Sequence, residues 1–205
     1  MLNVVASGLK VHNIVDMAKR QATTRIIAGD FKGTRLTFKP NKTLRPTESK
    51  TKETLFNWLL NDLDQKKCLD MFAGTGALGL EAISRGAAKA IFFEKQKNLS
   101  ESIENIINKL KIKQRCKVVN ANSISFDFNL LNEKFDLIFL DPPFNENLIQ
   151  RSLKIISKYD LLSKGGMIYI ECEKDLNIES LIDDFSKVKE SRAVSYTHLT
   201  LPTKA

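Results

Sequence analysis

The sequence predicts an α/β protein: a mainly parallel, doubly wound sheet preceded by a β-hairpin and a helix. Three observations carry this expectation. From Lys66 onward near-continuous apolar strands alternate with amphipathic helices, as a parallel sheet covered on both faces requires. A glycine-rich turn, Gly74-x-Gly76-x-x-Gly79, follows the first of those strands. Ahead of Lys66 stands a basic segment rich in β-branched residues with a turn at its middle, which is a hairpin pattern.

Residues 1–24 show no sustained period and read as a disordered extension or a misassigned start, with Met17 as an alternative beginning. Residues 25–65 form the basic hairpin and helix. "RIIAGDFKGTRLTF", Arg25 to Phe38, places two short runs around the turn "DFKG", with Arg25, Lys32 and Arg35 pointing outward. Pro46 forces Arg45 toward extended backbone, and Thr47 is placed to cap the next helix. In that helix Leu55, Phe56, Leu59, Leu60 and Leu63 make an apolar stripe, and Lys50 and Lys52 are expected in an exposed first turn.

Residues 66–194 form the core. Its strands read as "CLDMF", "AIFFE", "KVVNA", "FDLIFLD" and "MIYIECE", and its helices as Ala77 to Ser84, Leu99 to Leu110 and Leu148 to Tyr159, joined by right-handed crossovers. "FSKVKESRAVSYTHLTL" closes the sheet edge as a hairpin. The ending "SYTHLTLPTKA" looks like translated adaptor sequence, so residues 195–205 are expected to be a non-native tail, with the native C-terminus lost near Val194.

Composition narrows the chemistry. A chain of 205 residues, 42% hydrophobic, can bury one full core. No apolar run approaches the roughly 18 residues of a membrane helix, and the N-terminus lacks an export signal, so a cytoplasmic protein is expected. Cys68, Cys116 and Cys172 are isolated in apolar runs, and the two histidines, His12 and His198, lie in the end segments. Histidine-based catalysis or metal binding is therefore excluded as an expectation. The first 60 residues hold eleven Lys/Arg against four Asp/Glu, which is seven of the net charge of +8. A basic end on a nearly neutral body suggests a polyanion-binding face; the alternative is a merely solvated surface.

In a doubly wound sheet, ligands bind beyond the carboxyl ends of the strands, and the glycine turn belongs there. Glu94, eighteen residues after Gly76 at the end of the second strand, is placed to accept hydrogen bonds from ribose hydroxyls. This combination fits either a nicotinamide dinucleotide or S-adenosylmethionine. Asp70, just ahead of the glycines, could receive the ammonium of the latter, which tilts the balance.

The deciding stretch is "DPPF", Asp141 to Phe144, at the end of "FDLIFL". Two prolines cannot continue a central strand, so the backbone must turn out at the edge that carries the glycine turn. An exocyclic base amine is a poor nucleophile because its lone pair is delocalised. Asp141 and the Pro142 carbonyl can accept its two hydrogens and turn the lone pair outward, while Phe144 stacks on the base. The chain here resembles the amino-group methyltransferases with their [DN]-P-P-[FYW] signature.

With "RIIAGDFKG", "LRPT", "KETLFNWL", "CLDMFAGTGALGLEA", "VVNANS", "DPPF" and "IYIECE" in this order, Arg25 to Glu173 is similar to the bacterial RsmD family, which methylates guanine N2 in 16S ribosomal RNA. The resemblance implies a Rossmann-like class I methyltransferase fold using S-adenosyl-L-methionine, no metal, and a monomer acting on 16S ribosomal RNA or a partly assembled small subunit. It implies that Asp70, Phe72, Ala73, Gly74, Gly76 and Glu94 contact the cofactor, with Asn122 and Ser123 flanking its adenine. Asp141, Pro142, Pro143 and Phe144 would hold the guanine. Arg25, Lys32, Arg35, Arg45, Lys50 and Lys52 would meet phosphates, which position RNA without reading sequence. The family favours arginine where Lys50 and Lys52 stand, and its C-terminal glycine- and tyrosine-containing strand is absent. Methylation of adenine N6 or a glutamine amide, an inert RNA-binding assembly factor, and a dinucleotide dehydrogenase are the competing readings.

Overall fold

The computed structural model describes residues 22–38, 49–59, 63–143, 147–173, 189–192 and 196–202. Strands β1 (Ala22–Arg25) and β2 (Arg35–Phe38) pair antiparallel, with Arg25 opposite Arg35. Backbone hydrogen bonds from Ile26 to Thr34 (3.1 Å) and from Gly33 to Ile26 (2.8 Å) close the turn. β1 begins at Ala22, three residues earlier than expected, because β-branched Thr23 and Thr24 continue the ladder against Thr37 and Leu36.

Helix α1 (Ser49–Trp58) follows, and Leu55, Phe56, Leu59 and Leu63 are buried as the stripe requires. Each such side chain is worth about 1.5–3 kcal/mol of burial. Lys52 departs from expectation: it is fully buried rather than exposed. It stands three and four residues before Leu55 and Phe56, so the stripe that buries them buries it as well. Its Nζ donates to Thr24 Oγ1 (3.1 Å) and to the Arg25 carbonyl (2.7 Å), which satisfies the ammonium where water cannot reach. Thr47, Leu60 and the connecting loop through Arg45 lie outside the described residues.

The core then alternates: β3 (Lys67–Asp70), α2 (Ala77–Ser84), β4 (Lys89–Phe93), α3 (Lys97–Leu110), β5 (Cys116–Val119), β6 (Phe135–Leu140), α4 (Leu148–Lys158) and β7 (Leu162–Glu173). Strands β8 (Lys189–Arg192) and β9 (Tyr196–Pro202) complete a seven-stranded sheet of order β5-β4-β3-β6-β7-β9-β8. The first five strands are parallel, and β9 runs antiparallel between β7 and β8. The terminal hairpin thus adds to the sheet edge, and the stretch expected to be foreign supplies β9.

Alternate residues of the central strands feed two cores. Cys68, Phe92, Leu137 and Phe139 pack with α1, α2 and the hairpin, whereas Leu69, Ile91, Ile138 and Leu140 pack with α4. Both faces of β3, β4 and β6 are therefore dry, which is why these strands read as unbroken apolar runs. β7 starts five residues ahead of the expected Met167, since Gly165 and Gly166 lie within the strand beside a register shift opposite Phe135–Leu137.

Chain order reverses between β3 and β6: the crossovers run outward through β4 and β5, then return to β6 and continue through β7. The carboxyl ends of β3 and β6 flank the crevice that this reversal leaves. Helix α2 leaves that crevice and is buried along its whole length. At Gly79 it lies so close to the sheet that an added Cβ would come 2.3 Å from Phe92 Cε1. Gly79→Ala is expected to lower stability by about 1–3 kcal/mol through overpacking, read as a lower urea midpoint at unchanged slope; an unchanged midpoint contradicts this packing.

Candidate active site

The site is built at the ends of three neighbouring strands. β3 ends at Asp70, β4 delivers Glu94 one residue past its end, and β6 delivers Asp141 one residue past its end. The glycine turn begins where β3 stops. Gly74 and Gly76 both hold positive φ, 54° and 75°, the latter at the N-cap of α2, and the turn is closed by the Gly76 N–H donating to the Ala73 carbonyl (2.6 Å). Ala73 is anchored in turn to the Phe93 carbonyl (2.9 Å).

Glu94 is buried and braces the turn: its carboxylate accepts the N–H groups of Gly74 (2.9 Å) and Gln96 (2.7 Å). Burial raises its pKa, and these two N–H groups oppose the rise. A carboxylate has about four acceptor positions, so this bracing does not exhaust them. Asn120, which the sequence reading missed, donates to the Glu94 carbonyl (2.8 Å).

Asp70 is in a different condition. It is fully buried, and neither carboxylate oxygen completes a hydrogen bond. Burial first, then the charges of Asp141 and Glu94, push its pKa up to about 7, while the nearby Phe72 and Gly79 amides only partly offset them. A buried acid without a donor requires a proton or a cation.

The other predicted positions divide clearly. Phe72 is half-buried against the α4-side core. Ser123 is buried and donates to the Met71 carbonyl (2.7 Å), so its hydroxyl ties the loop after β5 to the end of β3. Asn122 is exposed and caps the short turn after β5 through the Ile124 N–H (3.0 Å). Asp141 is half-buried, Pro142 buried and Pro143 half-buried at the end of β6. Phe144, Arg45 and the Lys50 side chain lie outside the described residues. Arg25, Lys32 and Arg35 are exposed on the hairpin, whereas Lys52 is withdrawn into the interior.

Sequence reading also missed Glu81. It is fully buried in α2, where every other residue is apolar or small, and it accepts hydrogen bonds from Ile27 N–H (2.7 Å), Ala28 N–H (3.0 Å) and Arg85 Nε (2.7 Å). A lone acid in a wholly apolar helix was the available signal. Among the described residues, no cluster of three metal-binding side chains occurs, and no helix is long and apolar enough to cross a membrane.

This strand order, glycine turn and acidic rim define a class I, Rossmann-like methyltransferase fold. Comparison with known proteins is consistent with it. The family described as "Conserved hypothetical protein 95" matches residues 24–201. "Ribosomal RNA small subunit methyltransferase D" of Haemophilus influenzae is 40% identical over 153 residues, 74% of this chain and 79% of that one. Its Escherichia coli K12 counterpart is 36% identical over 172 residues, covering 82% and 84%. A solved structure titled "Putative methyltransferase yhhF from Escherichia coli" superposes with a TM-score of 0.78 at 32% identity, over 90% of this chain and 99% of that one. The chain belongs to the family of ribosomal RNA small subunit methyltransferase D.

Asp70 makes ligand-free stability depend on pH with a definite sign. The folded chain keeps its proton up to about pH 7, whereas the unfolded chain loses it near the ordinary value of 3.8. The contribution is therefore complete below that value and lost as pH rises through 7. Asp70→Asn should gain on wild type by about 2–4 kcal/mol between about pH 4 and about pH 8 in urea unfolding; a constant difference contradicts the assignment.

Proposed function

We propose that the protein methylates the exocyclic N2 amine of a guanine in 16S ribosomal RNA, with S-adenosyl-L-methionine as donor. The observation that carries this reading is the buried Asp70 carboxylate, without a hydrogen bond, beside Asp141 at the sheet's reversal point. Such an acid suits a ligand that brings its own cation, as an amino acid ammonium does, and does not suit a pyrophosphate. When bound, the donor supplies an electrophilic sulfonium methyl.

On this reading Asp70 neutralises the donor's ammonium, and Phe72, Ala73, Gly74 and Gly76 let the backbone approach it closely. Glu94 uses its remaining acceptor positions for ribose hydroxyls, and Asn122 and Ser123 form the adenine side. Asp141 and the Pro142 carbonyl accept the two amine hydrogens, so the nitrogen lone pair turns toward the methyl; Pro143 fixes the turn and Phe144 stacks on the base. Catalysis is orientation and stabilisation of developing positive charge, which needs no histidine. Arg25, Lys32, Arg35, Arg45 and Lys50 hold phosphates. The reading takes the protein as a cytoplasmic monomer and a partly assembled small subunit or its RNA as substrate.

Unmodified small-subunit particles incubated with labelled donor, then digested for nucleoside mass analysis, are expected to yield N2-methylguanosine. Label recovered in N6-methyladenosine overturns the substrate. Asp141→Ala should lower turnover by about 100-fold or more while donor affinity, read by calorimetry, stays within about threefold; equal loss of both would make Asp141 a structural residue.

A further inference from the structure

Among the described residues, the hairpin that carries Arg25, Lys32 and Arg35 is a separate two-stranded sheet that shares no strand pairing with the core. Ile26 and Leu36 bury it in the apolar core shared with α1 and α2, and a set of polar side chains on the same two helices adds directional bonds. Glu81 accepts the consecutive N–H groups of Ile27 and Ala28, and Lys52 donates to Thr24 and the Arg25 carbonyl. One turn beyond Glu81, Ser84 donates to the Ala28 carbonyl (2.6 Å) and accepts the Phe31 N–H (2.9 Å), and its carbonyl accepts the Asp30 N–H (2.8 Å). Arg85 bonds Glu81 and lies over the Phe56 ring, 4.9 Å from its centroid, which joins α1 to the same assembly.

These groups are charged or polar although Ile26 and Leu36 already hold the hairpin by apolar packing, which carries no such desolvation cost. Directional bonds add something that packing does not: they fix one angle and one register. Helix α2 begins at Gly76, and Glu81 stands five residues later, about 7.5 Å along the axis. The cofactor turn and the hairpin are thus mounted on one short rod.

We infer that Glu81, supported by Lys52, is a positioning residue for RNA: it holds the basic hairpin at a fixed angle to the catalytic rim and so determines which phosphates the hairpin meets when a base enters that rim. The inference rests on the RNA reading given above. It assigns neither residue a contact with RNA, cofactor or the reacting amine.

The test uses the full chain with Glu81→Gln, which keeps volume but loses charge and one acceptor, and Lys52→Met, which fills the same space without the ammonium. KM for small-subunit particles should rise about tenfold in each, with kcat and the donor Kd within about twofold of wild type. The dependence of RNA affinity on salt should become shallower, because fewer phosphates are engaged at once. Unmoved KM and salt slope, or kcat and donor affinity falling in step with KM, overturn the inference. Should Glu81→Gln fail to fold, Lys52→Met decides by the same readouts. Should wild type transfer no methyl to RNA, the proposed function falls, and the salt slope alone decides the positioning role: a shallower slope upholds it and an unchanged one refutes it.

Discussion

An acid buried at the end of the central strand, whose carboxylate completes no hydrogen bond, is the constraint around which this molecule is arranged. Ionising Asp70 in that position is costly unless a positive group comes to it: burial first, then the neighbouring charges of Asp141 and Glu94, push its pKa up to about 7. A purely structural residue there would be apolar, like Leu69 and Met71 on either side. The cost is tolerated in the folded chain by holding a proton, and on the proposed function that proton is exchanged for the donor's ammonium. Glu94 shows the contrast: equally near the rim, it is satisfied by two backbone N–H groups and serves to hold the turn's shape.

The fold explains why these groups meet. Parallel strands deliver their last residues to one edge, and the reversal of strand order at β3 and β6 opens a crevice between Asp70 and the prolines after Asp141. Helix α2 then carries the consequence outward, since its start shapes the glycine turn and its middle anchors the hairpin. The close approach at Gly79 is what allows this helix to lie deep enough to do both.

Much of this was legible in the sequence because the central strands are buried on both faces and therefore appear as unbroken apolar runs. The glycine turn and "DPP" were legible for a similar reason: only a few backbones can follow those residues. What was not legible came from side chains whose partners are distant in sequence. Lys52 was assigned to solvent by its charge, although its spacing from Leu55, Phe56 and Leu59 puts it on the buried stripe. Glu81 was passed over because its donors, Ile27 and Ala28, lie more than fifty residues away. The start of β7 is not marked in the sequence, because the sheet absorbs Gly165 and Gly166 beside a register shift.

The most direct test of the account is calorimetry of S-adenosylmethionine binding in buffers of different ionisation enthalpy. The account predicts release of close to one proton at about pH 6, falling as pH rises through 7, because the incoming ammonium displaces the proton that Asp70 carries, and it predicts that Asp70→Asn abolishes this release. Binding with the same proton balance in wild type and Asp70→Asn across that range would contradict it.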